Sequence, residues 1–277
     1  MWERRYQFPS PLRDEHGERL YPHLQVEKLR LVKRLMDAGH RPGRLISCTL
    51  DELNALTLTC LARVDSAAPD CGAALRLVRG YQVADLRQHL TQTLMKQGLQ
   101  RFVLDTVAPL NQLVGEAWMR GELAVYEEHL YTEQMQGILR TAICNMQQAC
   151  KPPRVLLTSF PGEEHRLGLL MVEALLTVEG VTCIGLGNEI PLPEIVQAAF
   201  AHRADIVGLS FSGAFQTNAA VAGLKELRSN LSHGVAIWVG GGGMDRVRRP
   251  IPGVTVMRSL EDLLRGLCEW REAHASP

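Results

Sequence analysis

A chain of 277 residues with 46% hydrophobic and 22% charged side chains has globular composition and enough length for two or three compact units, which excludes a wholly disordered chain. No stretch approaches the roughly 20 apolar residues that span a bilayer, and the opening MWERRYQF has no signal-peptide core, so a membrane partner is excluded and a cytoplasmic location is expected. Net charge is zero, yet residues 1–46 hold ten Lys or Arg against six Asp or Glu, a local excess that suits either a polyanion partner or a solvated charged face.

In chain order, residues 10–22 are rich in turn formers, with His16-Gly17 between short runs able to pair as a hairpin. From Leu24 to Met36 the apolar residues recur at three- and four-residue steps, predicting an amphipathic helix that Gly39 closes. A second helix is expected from Asp51 to about Ala62, with Asp51 as N-cap. The turn-rich stretch 65–72 is the expected linker, dividing an N-terminal region, 1–64, from four helical patterns at about 73–79, 83–97, 99–120 and 122–149. Short glycine-marked connections between such helices imply a compact four-helix bundle over 73–150. At Lys151-Pro152-Pro153 the period changes. RVLLTSF, VTCIGLG, ADIVGLSFS and VAIWVGG are short β-rich runs alternating with helical ones. They predict a doubly wound parallel sheet over 151–277, with ligands at the carboxyl ends of its strands.

The first of those ends is the loop from Ser159 to Gly168. An imidazole there, His165, can bind a metal through one ring nitrogen while Glu163 or Glu164 fixes its tautomer through the other. Standing alone, a Glu-Glu-His is more often a bare surface feature. Ser210 ends the third strand run, and Gly240 to Gly243 follow the fourth. Small residues at adjacent strand ends open a slot to a flat or elongated ligand. The glycine run lacks the Lys-Ser/Thr of a P-loop, and no GxGxxG follows the first strand, which disfavours nucleotide hydrolysis and NAD binding. Seven scattered cysteines without a CxxC suggest neither a disulfide framework nor a zinc site.

Together these motifs resemble the cobalamin-binding Rossmann-like domain over about residues 152–270. Glu163-x-His165-x-x-Gly168 matches its histidine motif in a glutamate variant, Ser210 its serine position and Gly240-Gly241 its final glycine pair, while Phe211-Ser212 departs from the Ser-x-Leu of many members. The resemblance implies His165 as lower cobalt ligand, with the serine and glycines lining a channel for the displaced nucleotide tail. Trp118, nine residues, then Glu128-His129 is similar to the W-x9-EH pattern of the CarH/LitR photoreceptor regulators. It implies that Trp118 covers the upper corrin face, with Glu128 and His129 near a 5'-deoxyadenosyl group. In the well-studied photoreceptors a histidine directly follows that tryptophan and captures cobalt after illumination. Met119 stands here, and a thioether is the weaker, softer ligand, leaving water, His129 or nothing to hold the lit state.

Residues 2–46 resemble the MerR family, Trp2 to Tyr6 matching the end of the recognition helix, Pro11 to Tyr21 the wing, and Val26 to Ile46 the helices that follow. The resemblance implies DNA contacts by Arg4, Arg5, Arg13, Arg19 and Tyr21. In that family most of the recognition helix precedes this tryptophan, so a partial winged helix-turn-helix with impaired DNA binding is expected. The whole reads as a multidomain α and α/β protein: a non-enzymatic, adenosylcobalamin-binding transcriptional regulator, light-responsive, forming a homo-oligomer whose assembly and DNA binding follow the ligand state. A corrinoid methyl carrier and a cofactor-free regulator are the alternatives.

Overall fold

The computed structural model describes residues 2–13, 17–37, 40–61, 69–146, 150–245 and 247–274. The N-terminal unit opens with α1 (Trp2–Tyr6) and the expected antiparallel hairpin, β1 (Leu12–Arg13) on β2 (Arg19–Leu20). His16 of its turn and Gly39 lie outside the described residues. The apolar stripe of α2 (His23–Asp37) buries Leu31, Val32 and Leu35 against Leu45 of α3 (Pro42–Ile46) and Leu53 of α4 (Leu50–Leu61). The cap of α4 corrects the expectation of Asp51. Thr49 donates through its amide and hydroxyl to the Glu52 carboxylate at 2.8 and 3.1 Å, and the Glu52 amide donates back to Thr49 Oγ1 at 3.3 Å. Such a reciprocal box satisfies two orphan donors, where Asp51 alone would satisfy one.

The bundle begins earlier than the linker reading allowed. α5 (Pro69–Arg79) starts inside the 65–72 stretch: proline suits a first helical turn, where its missing N–H costs nothing, and Cys71 is fully buried in the bundle core. α6 (Val83–Gln97) follows. The expected 99–120 helix is not uniform. It runs as α7 (Leu99–Arg101), widens to π-helix over Phe102–Val107 and resumes as α8 (Ala108–Met119). Pro109 accounts for the widening, since it has no N–H and its ring crowds the carbonyl four residues back. Ala108 accordingly donates to the Val103 carbonyl, five residues back. The last helix, α9 (Val125–Cys144), starts later than expected because Glu127 folds back to accept the Ala124 amide at 2.6 Å. Residues 147–149, expected at its end, lie outside the described residues.

The C-terminal unit alternates β3 (Lys151–Thr158), α10 (Leu167–Val178), β4 (Val181–Gly187), α11 (Leu192–Ala201), β5 (Ile206–Ser210), α12 (Thr217–Asn230), β6 (Ala236–Gly240), β7 (Val254–Val256) and α13 (Leu260–Ala273). All sheet pairs are parallel, in the order β4-β3-β5-β6-β7. β7, only three residues long, is a strand that hydrophobic patterning missed. Alternation along β3 sends Leu156 to the face covered by α11 and α12, and Val155 and Leu157 to the face covered by α10 and α13. On the second face one apolar core runs without a break from Cys71 in the bundle to Leu267 in α13, so the bundle is seated on the sheet unit. Among the described residues no helix is long and apolar enough to cross a membrane.

Candidate cofactor-binding site

Because β3 pairs with β4 on one side and β5 on the other, the connections after β3 and β5 diverge and leave a crevice at the carboxyl edge, where open α/β sheets bind ligands. A buried carboxylate spans that crevice. Glu163 is 1% exposed; its Oε1 accepts from His165 Nδ1 at 2.8 Å and from the His165 amide at 3.0 Å, and its Oε2 accepts from the Ser212 amide at 2.6 Å. Burial pushes the carboxyl pKa up, but these hydrogen bonds outweigh it and hold the group below the ordinary value. The same contact raises His165, against the opposing effect of burial and with help from the charges of Glu163, Glu128 and Glu164. Nδ1–H donating to carboxylate leaves the lone pair on Nε2, on a ring whose side chain is 63% exposed. Of the two candidate carboxylates, Glu163 orients the imidazole, while Glu164 is exposed and contributes only charge.

The loop is braced by two residues to which sequence reading gave no role, one just past β4 and one just past β3. Asn188 Nδ2 donates to the carbonyls of Glu163 and His165 at 3.0 and 3.1 Å. Ser159 Oγ donates to the Glu163 carbonyl at 3.1 Å and accepts the Glu189 amide at 3.1 Å. Their one available signal was position: polar residues just past a strand end that flanks the switch point.

Gly168, Ser210, Gly240 and Gly241 line one cavity of about 250 Å³ between the sheet and helices α10 and α13. A Cβ on Gly168 would stand 2.6 Å from Ser210 Oγ, and one on Gly241, at φ +92°, 2.3 Å from the Phe211 carbonyl oxygen. Gly241 therefore requires glycine, for its φ and its backbone contact, whereas at Gly168 a larger residue would have to turn the Ser210 hydroxyl aside. The rim carries the exposed residues Asp245, Arg258 and Ser259; Ala108, beside the π-helical turn, reaches the wall from the bundle. The arrangement can admit a flat apolar ring carried on a polar tether.

Trp118, 43% exposed, sits on the last turn of α8, with the half-buried Met119 beside it. Across the connection 120–124, Glu128 and His129 occupy the start of α9, where His129 Nδ1 lies 3.3 Å from Glu128 Oε2 and Thr132 Oγ1 donates to Glu128 Oε1 at 2.8 Å. The Glu128 charge is close enough to raise the His165 pKa, so the start of α9 approaches the histidine loop.

The N-terminal basic residues form a separate group. Glu3 of α1 ties to the hairpin, 3.7 Å from Arg19 Nη1 and accepting from the Tyr21 hydroxyl at 3.4 Å. Arg13 Nη1 donates to the Gly17 carbonyl at 2.6 Å, and the Arg5 guanidinium lies 5.3 Å from the centre of the Tyr6 ring. Arg4 belongs to α1, its side chain lying outside the described residues.

Three family models match successive parts of the chain. One described as a MerR HTH family regulatory protein matches residues 1–45, and two described as B12 binding domains match residues 73–142 and 153–264. The HTH-type transcriptional repressor CarH of Myxococcus xanthus is 30% identical over 247 residues, 87% of this chain and 82% of that protein. The repressor CarA of the same organism is 28% identical over 211 residues, 76% of this chain and 69% of that protein. The monomethylamine corrinoid protein of Methanosarcina barkeri shares the fold, with a TM-score of 0.57 at 16% identity over 72% of this chain and 96% of that one. The chain belongs to the CarH-like family of cobalamin-binding, MerR-type transcriptional regulators.

Proposed function

We propose that this regulator is light-responsive and takes adenosylcobalamin, with His165 as the lower axial ligand of cobalt. The observation that carries the reading is the Glu163–His165 pair. A ring nitrogen with a lone pair, held in one tautomer by a buried carboxylate and exposed at the switch point, is what axial coordination needs. The cavity supports it from a second direction. A histidine below cobalt requires the cofactor's own base to leave the metal and lodge elsewhere, and Gly168, Ser210, Gly240 and Gly241 open onto that room. The cradle fits the group, since glycines and a serine line the room at the strand ends and leave it free of larger side chains.

Bound there, adenosylcobalamin supplies a cobalt–carbon bond that light can cleave. Glu163 keeps the imidazole tautomer, Trp118 covers the upper face, and Glu128 and His129 contact the upper ligand. Loss of those contacts shifts α8 and α9, and with them the assembly of copies of the chain on DNA. Arg4, Arg5, Arg13, Arg19 and Tyr21 supply phosphate contacts whose strength falls as salt rises. Such coupling requires the ligand to favour one arrangement over the other.

Reconstitution in darkness with adenosylcobalamin, followed by illumination, spectroscopy and gel filtration, tests this reading. Wild type is expected to change both spectrum and oligomer size, and an unchanged pair removes the light response. His165→Ala is expected to bind more weakly and to show a base-off-like spectrum. A second reading, a corrinoid methyl carrier, draws on the fold shared with the monomethylamine corrinoid protein; methyl transfer from the loaded chain to an added methyltransferase would bring it forward.

A further inference from the structure

The deeper half of the cavity differs in chemistry from its mouth. Below the glycines its wall is made by Val155 and Leu157 of β3, Val172 and Leu176 of α10, Trp238 of β6 and Leu263 of α13. Trp238 precedes Gly240 by two strand positions, which places it about 7 Å further in from the carboxyl edge. It pairs in register with Gly208, which leaves the sheet flat at that depth, and Gly266 of α13 makes room beside the indole: a Cβ there would lie 3.9 Å from it and 2.8 Å from Met257 Cε. Trp238 is only 7% exposed, and its Nε1–H makes no hydrogen bond to a described residue. The wall therefore presents hydrocarbon and an indole whose nitrogen is not among the fully buried unpartnered atoms.

We propose that this cavity selects the lower base of the corrinoid, admitting 5,6-dimethylbenzimidazole and discriminating against purine bases, with Trp238 and Val172 as specificity-determining residues. The inference rests on the assignment of the cavity to the nucleotide tail. Away from cobalt, dimethylbenzimidazole offers one acceptor nitrogen, no N–H donor and two methyl groups, which suits apolar walls and a single indole donor. Adenine brings an amino group and additional ring acceptors. In these surroundings they would be stripped of water without partners, and unpaired buried polar groups are costly.

Isothermal titration of the full chain with cyanocobalamin, its adenine-based counterpart and dicyanocobinamide, which has no base, separates the possibilities. Cyanocobalamin is expected to bind about tenfold or more tightly than the adenine form, the discrimination that one unpaired buried group produces, and dicyanocobinamide more weakly than cyanocobalamin. Equal affinity for the two complete corrinoids, both above dicyanocobinamide, overturns the selectivity and leaves the tail assignment standing. Dicyanocobinamide binding as tightly as cyanocobalamin removes the tail from the cavity and overturns both. Val172→Thr, nearly isosteric, adds a hydroxyl and is expected to narrow the preference about threefold or more. Trp238→Phe keeps a ring without the donor and is expected to weaken cyanocobalamin by a similar factor, each set by one hydrogen bond. Dicyanocobinamide affinity unchanged in both variants controls for folding, and a preference that neither variant moves overturns the assignment of these residues.

Discussion

The two faces of the five-stranded sheet are packed in opposite ways. Toward α11 and α12, the ring centroids of Phe160 and Phe215 lie 5.3 and 4.9 Å from that of Phe211. Even the helix glycine Gly223 is needed there, since a Cβ would fall 2.5 Å from the Phe160 ring. Toward α10, α13 and the bundle, glycines stand at Gly208 and Gly240 and about 250 Å³ stays open. Interiors pack at about 0.74–0.76 density, and a dry void costs on the order of 24 cal/mol per Å³, so an opening of this size is not a packing default. One face carries stability, and the other gives some of it up to hold room for a ligand. The residue that joins them is Phe211, buried in the solid face and followed at once by Ser212, whose amide holds Glu163.

The largest test of that contrast is Phe211→Ala. It removes the middle ring of the solid face and is expected to cost about 3–5 kcal/mol in urea unfolding, against about 2 kcal/mol for Leu263→Ala at the wall of the opening, the lower end for leucine truncation. Equal losses would mean that the two faces are packed alike. Next comes Gly241→Ala, with a strained φ and a backbone clash on Phe211, expected to lower stability by about 2–3 kcal/mol and to weaken cobalamin binding. Chemical denaturation and ligand titration read the two effects separately. Smaller again, Glu163→Gln keeps the shape but loses one carboxylate oxygen and the charge that orients His165. Metal affinity through a histidine so disturbed is expected to fall about 10–100-fold, measured by cobalamin titration.

What was legible in the sequence is what is local. The strand and helix alternation, the Glu-Glu-His loop and the glycine run can each be read within a dozen residues, and the structure brings Gly168, Ser210, Gly240 and Gly241 to one cavity. What was hidden depends on register or on competition between near-equal signals. The contact of Glu163 with Ser212 spans 49 residues, and that of Asn188 with Glu163 spans 25; neither is visible until strand order is known. Thr49 and Asp51 are both good caps, and only the reach of Glu52 back to Thr49 decides between them. Pro69 has the look of a linker residue, yet proline suits a first helical turn equally well. The floor of the cavity was hidden for another reason: Trp238 lies in a run whose pattern reads simply as a buried strand.

The smallest expected effect separates backbone from side chain at the junction of the two faces. Ser212 Oγ is buried without a hydrogen-bond partner, beside the Glu163 carboxylate but out of bonding geometry, whereas the Ser212 amide donates to that carboxylate at 2.6 Å. The amide's position is set by Phe211, so it survives any side-chain change at 212. Ser212→Ala removes an unsatisfied hydroxyl and leaves the bond in place, so stability is expected to stay within about 0.5 kcal/mol of wild type and cobalamin affinity within about twofold, since no hydrogen bond is lost. A loss in affinity as large as that of Glu163→Gln would show that the hydroxyl closes on the carboxylate when ligand is bound, and the link between the faces would then run through a side chain instead of the backbone.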